Sequence, residues 1–566
     1  MSKRCFFNCF ILLALSSIGT FSCSGNEEET KKTSPDAEVS LDATVPDSAF
    51  EDDELVVTIE DGKIKGELVG ESRRYLKIPY AKPPVGPLRW KAPIKNLSWG
   101  DQIREEKDFS DGCPQNASAG SQGSRNEDCL YLNVRAPRST AKKAAVMVWI
   151  HGGGNFAGST RDTVTLTDPP QLWFDGQWFA AKQGVVLVTI NYRLGPLGFF
   201  AHPDLPKEGS PFGNQGLLDQ RMALQWVQKN IEKFGGDPEN VTIFGESAGS
   251  ADVCLHMVSP GSRGLFHRAI SESGGCTTRF GLQVDSDDRA KAIETFTEAL
   301  GCKGTEDELA CLREKPIDDI MANAAQPNPT AGITGKRQFS FTVVIDGADG
   351  FLPDTPRALF EKKRIAEVPY LLGSNTDEGT IFLLSATGLP TNDEEYVAYL
   401  KGGFGDYADQ IAALYPPSNF NGSYRDALVR VIGDSSLVCS THDTARRAAK
   451  AGLDVFMYNF NVPWSIVPSL LGAAHASEIS HVFGNPYKPT PESQAVSDAM
   501  NSYWARFAKT GDPNGEDAPA QWPKFVPDTD YRDKRLQLDP NWETLIDYRK
   551  EECTFWRSYY DAQSQL

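Results

Sequence analysis

The sequence predicts an α/β fold in which a large, mostly parallel central sheet is flanked by helices in a single domain. Short apolar runs rich in β-branched residues predict buried strands at residues 144–150, 185–192, 241–244, 368–373 and 453–460. Between two of these runs, residues 213–234 place their apolar side chains mostly at helical spacing. Strands that alternate with helices imply a sheet with parallel strands and with both faces covered.

The composition indicates a globular and acidic protein. Of the 566 residues, 40% are hydrophobic and 23% are charged, which supplies enough apolar material for a large core. The formal net charge is −19, and no cluster of basic residues is evident. Because phosphate binding needs clustered Lys and Arg, this charge argues against nucleic acid or anionic lipid as the main partner. The chain has no fixed-period repeat and no second low-complexity linker, so one large domain is the simplest interpretation.

Residues 1–22 predict a signal peptide. Lys3 and Arg4 precede an apolar stretch, and small residues lead up to Cys23. This approach to a cysteine, followed by an acidic and hydroxyl-rich tract, resembles a bacterial lipoprotein leader, in which the cysteine is lipidated and becomes the first mature residue. Thr20 stands where such leaders usually have leucine, so an ordinary cleaved signal is the alternative.

The leader also suggests how the chain is divided. Residues 23–54 begin with the lipidated cysteine and have almost no aromatic content, which predicts a disordered tether. Residues 55–566 then form the α/β domain. We expect an exported protein of the outer membrane or cell envelope that meets the membrane through its lipid anchor only, and a soluble secreted or periplasmic protein is the alternative.

The cysteines support export. Eight of them lie in the body of the chain: Cys113, Cys129, Cys254, Cys276, Cys302, Cys311, Cys439 and Cys553. An even number in an exported chain predicts four disulfide bonds, although the order of cysteines along the sequence does not fix their pairing.

The stretch GESAGS, residues 245–250, directly follows the predicted strand at 241–244. The pattern G-x-S-x-G is typical of a nucleophile elbow, a strained turn between a strand and a helix that lifts a serine hydroxyl above the end of a sheet. The flanking glycines suit a turn in which neighbouring backbone lies too close for a Cβ. Ser247 is therefore the candidate nucleophile, although the motif alone also fits an ordinary tight turn.

A serine nucleophile needs donors for the oxyanion that forms when it attacks a carbonyl group. The stretch HGGGNF, residues 151–156, directly follows the predicted strand at 144–150. Consecutive glycines let backbone N–H groups approach a substrate oxygen without obstruction by side chains. We assign the N–H groups of Gly153 and Gly154 as donors, together with that of Ala248, the residue after the nucleophile.

The nucleophile also needs a base, and histidine is the usual one. In folds of this type the order along the chain is serine, acid, histidine, so the base follows Ser247 with an acid between them. His256 and His267 follow the elbow too closely to leave room for further strands and the acid, so His442, His475 and His481 remain. We favour His475 because it lies in a loop of small residues after the predicted strand at 453–460, whereas the other two have settings typical of structural histidines.

The acid is expected at the end of another strand, where it holds the imidazole tautomer and stabilises the imidazolium. Asp377 and Glu378 both follow the predicted strand at 368–373. The residues alone do not choose between these neighbouring carboxylates.

With these residues in place, the chain from about Leu55 to Tyr560 resembles the type-B carboxylesterase family of α/β-hydrolases, the group that includes the cholinesterases. The motifs that carry the resemblance are PYAKPPVGPLRW, EDCLYLNV, HGGGNF, NYRLGPLGF, the block from Gly213 to Ser250, DGADGFLPDTP, TDEGT and FAKTGDPNG. The resemblance implies a serine hydrolase that cleaves carboxylic esters through an acyl-enzyme, with Glu378 as the acid and His475 as the base. It implies no metal, no organic cofactor and a small-molecule ester as partner, and it makes no prediction of oligomeric state.

The resemblance also implies structural contacts. It pairs Arg89 with Glu127 and Arg193 with Asp219 as ion pairs. It implies the disulfide bonds Cys113–Cys129, Cys302–Cys311 and Cys439–Cys553, and it leaves Cys254 with Cys276.

Three departures from the family bear on the substrate. The segment between Cys113 and Cys129 has no tryptophan for stacking on a quaternary ammonium, so a choline ester is not favoured. Residues 159–179 are long for the family and carry four large aromatic residues, which either line a substrate pocket or pack against the body. Lys77 replaces a usual glycine. A lipase acting on longer acyl chains and a non-catalytic binding protein on the same fold are the alternative functions.

Overall fold

A computed structural model describes residues 55–117, 121–139, 143–164, 171–278, 286–324, 341–384, 386–465, 468–527 and 533–563. The chain divides into two units, Met1–Phe50 and Glu51–Leu566, and the first unit lies wholly outside the described residues. The predicted signal peptide, Cys23 and the tether up to residue 54 therefore also lie outside them.

The strands of the described part, numbered along the chain, are β1 Val56–Ile59, β2 Gly62–Lys65, β3 Glu67–Val69, β4 Ser72–Pro79, β5 Gly100–Glu105, β6 Tyr131–Pro137, β7 Ala144–Ile150, β8 Thr163–Val164, β9 Gln171–Leu172, β10 Val186–Ile190, β11 Gly236–Glu246, β12 Arg268–Glu272, β13 Tyr370–Asn375, β14 Val455–Phe460, β15 Lys534–Leu538 and β16 Thr544–Ile546. Eleven of them form one sheet in the order β16-β15-β14-β13-β12-β11-β7-β10-β6-β4-β3. The strands from β15 to β10 in that order pair in parallel, and those at both edges pair antiparallel. The predicted fold class, a large and mostly parallel sheet, is confirmed.

The α-helices of the described part are α1 Gln177–Ala181, α2 Gly195–Gly198, α3 Gln215–Asn230, α4 Ala248–Val258, α5 Ser286–Ala299, α6 Glu308–Glu314, α7 Ile317–Asn323, α8 Pro356–Glu361, α9 Asp393–Phe404, α10 Ala408–Leu414, α11 Tyr424–Gly433, α12 Cys439–Ala451, α13 Pro468–Leu471, α14 Ile479–Val482, α15 Pro491–Thr510 and α16 Lys550–Gln563. A π-helical turn, Asp434–Val438, joins α11 to α12. None of the helices in the described ranges is both long enough and apolar enough to cross a lipid bilayer.

Both faces of the sheet are covered, which explains why its central strands are apolar at every position. The seven residues of β7 are all buried. Val146 and Val148 belong to the core cluster that includes Leu224 of α3. Met147 and Trp149, the alternating residues, belong to a second cluster that includes α15. Because successive side chains of a strand point to opposite faces, α3 and α15 cover opposite faces of the sheet.

Lys77 lies in β4 with a backbone φ of 49°, a left-handed conformation. The pairing of β4 with β6 shifts register between Tyr75 and Ile78, and the Lys77 N–H donates to Asn133 Oδ1 at 3.0 Å. Glycine adopts this conformation without the steric cost that a Cβ imposes. Lys77 bears this steric cost here.

The parallel strands end at one edge of the sheet, and this edge positions the candidate site. The segments that follow β7, β11, β13 and β14 carry the triple glycine, Ser247, Glu378 and His475. In sheets of this kind, ligands bind beside the carboxyl ends of the strands.

Candidate active site

Ser247 lies in the sharp turn between β11 and α4, with φ 58° and ψ −121°. A Cβ on Gly245 would come within 2.5 Å of the carbonyl oxygen of Ile150, and a Cβ on Gly249 would overlap the same oxygen. The N–H of Ser247 donates to the carbonyl oxygen of Glu272 at 2.9 Å. Both glycines are thus required by the close approach of β7, and the strained serine is held against the end of β12.

The triple glycine passes directly over the nucleophile. A Cβ on Gly152 would lie 3.0 Å from Ser247 Cβ, and the two following glycines have positive φ angles of 96° and 65°. Within the described part of the chain, the N–H groups of Gly153, Gly154 and Ala248 donate to no protein acceptor. Three unpaired backbone donors beside a serine hydroxyl form an arrangement that can bind an oxyanion.

His475 is fully paired on one side of its ring. Its Nδ1 lies 2.6 Å from Glu378 Oε2, and Glu378 Oε1 accepts the N–H of Asn375 at 2.7 Å. Both side chains are buried, and the ring of Phe382 lies against the imidazole at a centroid distance of 5.3 Å. The contact fixes the ring orientation and holds a proton on Nδ1.

The neighbouring Asp377 is turned away from the imidazole. Its Oδ2 accepts the N–H of Ala473 at 3.1 Å, and its Oδ1 lies 3.6 Å from Arg430 Nη2. Burial raises the pKa of Asp377, while Arg430 lowers it. The geometry therefore separates the two carboxylates that the residues alone did not, and Glu378 is the one that contacts His475.

The other two candidate histidines lie elsewhere. His442 Nε2 on α12 lies 3.0 Å from Asp533 Oδ2, at the start of β15. His481 on α14 contacts Ser493 Oγ at 2.9 Å, and burial lowers the pKa of His481 to about 4. Neither histidine contacts Glu378.

The other ring nitrogen of His475, Nε2, faces Glu246, the residue before the nucleophile. This nitrogen lies 3.1 Å from Glu246 Oε1 but out of line for a hydrogen bond. No hydrogen bond joins Ser247 Oγ to His475 among the described residues. Catalytic hydrogen bonds are often loose in unliganded enzymes and tighten when substrate binds, so this geometry is compatible with proton transfer.

Sequence reasoning missed a buried carboxyl cluster beneath the site, formed by Glu246, Glu272, Glu378 and Glu478. Glu478 accepts from Asn375 Nδ2 at 2.5 Å and from Ser273 Oγ at 3.1 Å, and Glu272 accepts from Trp504 Nε1 at 2.7 Å. Two members occupy positions that the sequence shows: Glu246 lies inside the elbow motif, and Glu478 lies three residues after His475. Their burial is not, because most Glu side chains are exposed.

Mutual repulsion and burial set the charge of this cluster. Burial raises the pKa of Glu246 and of Glu272 well above the usual range. Burial and the neighbouring Glu378 raise the pKa of Glu478 to about 7. Burial lowers the pKa of His475, but Glu246 and Glu378 more than offset it and raise that pKa to about 9. Burial and mutual repulsion therefore favour protonation of Glu246, Glu272 and Glu478, whereas the neighbouring His475 favours ionisation of Glu246 and Glu478.

The described residues contain four disulfide bonds: Cys113–Cys129, Cys254–Cys276, Cys302–Cys311 and Cys439–Cys553. The second joins α4 to the segment after β12, next to the elbow. Disulfide bonds persist in oxidising compartments and are rare in the cytosol, so four of them indicate an exported protein.

The two ion pairs implied by the resemblance are formed. Arg89 contacts both carboxylate oxygens of Glu127, at 2.8 and 2.6 Å. Arg193 makes two bonds of 2.7 Å to Asp219, and both side chains are fully buried. Such bidentate pairs position the segments that carry them.

Three of the four large aromatic residues of the segment 159–179 divide into two groups. Phe174 and Phe179 are buried and pack with Trp149 and Phe483, whereas Trp173 lines a groove with Trp464, Ala476 and Tyr487. Residues 165–170 lie outside the described part. The packing alternative therefore holds for Phe174 and Phe179, and Trp173 borders a groove whose lining includes Ala476, the residue after His475.

Comparison with known proteins agrees with this geometry. The model of the carboxylesterase family matches residues 53–556. A cholinesterase from Mus musculus is 35% identical over 551 residues, which cover 90% of this chain and 87% of the mouse protein. The matched part includes the elbow, the triple glycine and the segments that carry Glu378 and His475. The chain therefore belongs to the carboxylesterase family.

Proposed function

We propose that the protein is a serine hydrolase that cleaves carboxylic esters with Ser247 as nucleophile, His475 as general base and Glu378 as the acid that orients it. The observation that carries the proposal is the 2.6 Å contact between His475 Nδ1 and Glu378 Oε2, beside a serine in a strained elbow. A base oriented by an acid next to a serine is the arrangement that activates a hydroxyl group.

The reaction begins when Ser247 Oγ attacks the ester carbonyl carbon. The hydroxyl proton passes to His475 Nε2, and Glu378 stabilises the imidazolium. The carbonyl oxygen becomes an oxyanion and accepts hydrogen bonds from the N–H groups of Gly153, Gly154 and Ala248.

The tetrahedral intermediate collapses when His475 returns its proton to the leaving alcohol, which leaves an acyl group on Ser247. A water molecule then attacks the acyl-enzyme while His475 accepts its proton. The second intermediate expels Ser247, which regains its proton, and the carboxylic acid departs. Each step uses only groups of this chain, the ester and water.

We propose a small ester without a quaternary ammonium group as the substrate. The segment between Cys113 and Cys129 offers no tryptophan to a cation. A groove whose lining includes Ala476, the residue after His475, is bordered by the aromatic side chains of Trp173, Trp464 and Tyr487. Aromatic faces favour an apolar group of the substrate there.

The test is a chain-length series of nitrophenyl esters with the purified protein and its Ser247→Ala variant. We expect the original enzyme to turn over the acetate to butyrate esters fastest. In Ser247→Ala, kcat should fall by several orders of magnitude. Ser497→Ala is the matched control, because it also removes one buried hydroxyl group, which donates to His481 O at 2.9 Å away from the elbow. Near-normal turnover by Ser247→Ala contradicts the proposal, and a maximum at long chains with interfacial activation indicates a lipase.

We also propose that Cys23 carries lipid and that residues 23–54 tether the enzyme to the outer membrane or cell envelope. Two or more acyl chains give stable anchoring, since each buried methylene contributes about 0.8 kcal/mol. Mass spectrometry of the mature N-terminus should find an acylated Cys23, and Cys23→Ser should leave the detergent phase with unchanged specific activity. An unmodified terminus beyond Cys23 refutes the anchor and leaves the esterase proposal unaffected.

A further inference from the structure

The loop that carries Gly153 and Gly154 is tied directly to the helix that follows Ser247. Asn155, the next residue of the loop, donates from Nδ2 to Asp252 Oδ1 at 3.0 Å. Both side chains are buried. Asp252 lies four residues after Ala248 on α4, so the two residues share one face of that helix.

The same asparagine is held on its other side. Tyr192 OH lies 3.1 Å from Asn155 Oδ1 and 2.7 Å from His151 O, where it donates. The carbonyl oxygen of Asn155 accepts the N–H of Gly195 at 2.7 Å, and its backbone has a φ of 61°. Asn155 is thus held through its amide nitrogen and its carbonyl group, with Tyr192 OH beside its amide oxygen.

Asp252 is held in turn by a chain of buried side chains. Gln220 Nε2 donates to Asp252 Oδ2 at 2.7 Å, and Gln220 Oε1 lies 3.0 Å from His256 Nε2. His256 Nδ1 lies 2.8 Å from Ser262 Oγ. Burial lowers the pKa of His256 to about 3, so the ring is neutral with its proton on Nε2. In this series of hydrogen bonds, each donor then points toward the carboxylate of Asp252.

We propose that Asp252, acting through Asn155, is a positioning residue that sets the N–H groups of Gly153 and Gly154 relative to that of Ala248. The three donors come from two separate segments, and the Asn155–Asp252 bond joins these segments directly. Three consecutive glycines have more conformational freedom than any other tripeptide, so the segment needs a constraint at its end. Oxyanion donors act only when they are preorganised, and a misplacement of about 1 Å costs about 10²-fold in rate.

The inference rests on the proposed function, and the test uses kinetics of the full chain. Asn155→Ala, Asp252→Ala and the double variant are compared with Asn214→Ala. Asn214 is the matched control because it is buried, has a φ of 59° and bonds through both ends of its amide to Val344, outside the site. For each variant, kcat per titrated active site, KM and the inhibition constant of a trifluoromethyl ketone are measured.

We expect each single variant to lower kcat by about 10- to 100-fold with KM changed by less than about threefold. The inhibition constant of the ketone should rise in parallel, because its tetrahedral adduct also places an oxyanion on the three donors. The double variant should be no slower than the slower single variant, since Asp252 acts only through Asn155. Asn214→Ala should lower the melting temperature and keep kcat.

Asp252→Asn is the conservative variant, and it should recover kcat to within about fivefold of the original enzyme. Its amide oxygen still accepts from Asn155, while Gln220 turns its amide over and His256 moves its proton to Nδ1. Unchanged kcat and ketone binding in Asp252→Ala, or losses that multiply in the double variant, overturn the inference while the esterase proposal stands. An original enzyme that hydrolyses no ester overturns both.

Discussion

Replacing Glu378 with glutamine should abolish most turnover, because the variant holds the catalytic imidazole in the wrong tautomer. Glu378 Oε1 accepts the buried N–H of Asn375 at 2.7 Å, and Oε2 faces His475 Nδ1 at 2.6 Å. In the variant, the single amide oxygen must stay with the Asn375 N–H, since an unpaired buried donor costs about 1–3 kcal/mol. The amide NH₂ then faces Nδ1 of His475. That nitrogen must accept, so the ring proton moves to Nε2, the atom that has to receive the proton of Ser247.

The expected loss in kcat is about 10³- to 10⁴-fold, the range typical for a wrong histidine tautomer in a triad. This corresponds to about 4–5.5 kcal/mol at 1.36 kcal/mol per factor of ten. The assay is the initial rate of nitrophenyl acetate hydrolysis, with active sites counted by an organophosphate.

Asp377→Asn is the matched control, because it makes the same chemical change one residue earlier. Its carboxylate bonds to Ala473 N–H and lies near Arg430, away from the imidazole, so kcat should fall by less than about tenfold. Equal losses in the two variants, or more than a tenth of the original activity in Glu378→Gln, would refute the reasoning.

Lys77→Gly should raise the melting temperature. Relieving the left-handed backbone strain gains about 1 kcal/mol, which exceeds the free energy lost with the exposed ion pair to Glu106. An unchanged or lower melting temperature in calorimetry contradicts this. Glu246→Gln removes a carboxyl group that raises the pKa of His475, and since the base must be neutral, the acid limb of kcat/KM should move to lower pH; a limb that stays in place or moves to higher pH contradicts this. Asp219→Asn leaves the buried guanidinium of Arg193 without its carboxylate partner and should lower the free energy of unfolding in urea by about 3–5 kcal/mol. A decrease below about 1 kcal/mol would contradict burial of the pair.

The strands of the central sheet could be predicted from sequence because burial on both faces makes them apolar throughout. The run at 144–150 coincides with β7, and the helix predicted at 213–234 contains α3 and a following 3₁₀ turn, Ile231–Phe234. The start of β11 could not be predicted in this way. Its first residues, GDPEN, are typical of a turn, yet Gly236 pairs with Ala144 before a register shift at Val241. Pairing with a neighbouring strand overrides local preference there.

The candidate site also has parts that sequence could predict and parts that it could not. Ser247 and the triple glycine were identified because their backbone geometry demands particular residue types at fixed spacing. Asp377 and Glu378 were not separated by the residues, since only the path of the chain after β13 decides which carboxylate faces His475. The carboxyl cluster and the Asn155–Asp252 bond join side chains that are distant in sequence, and no local pattern marks such contacts.

The disulfide bond between α4 and the segment after β12 links the chemistry of the enzyme to the timing of its export. Ser247 is held by the carbonyl oxygen of Glu272 in β12, and Cys254–Cys276 closes a covalent loop that contains Glu272 and begins on the helix that follows Ser247. In the reducing cytosol this loop stays open, so the elbow relies on noncovalent contacts alone. We therefore expect the newly made chain to reach full activity only after oxidation outside the cytosol. Recombinant protein should accordingly be produced in an oxidising compartment before its activity is compared among variants.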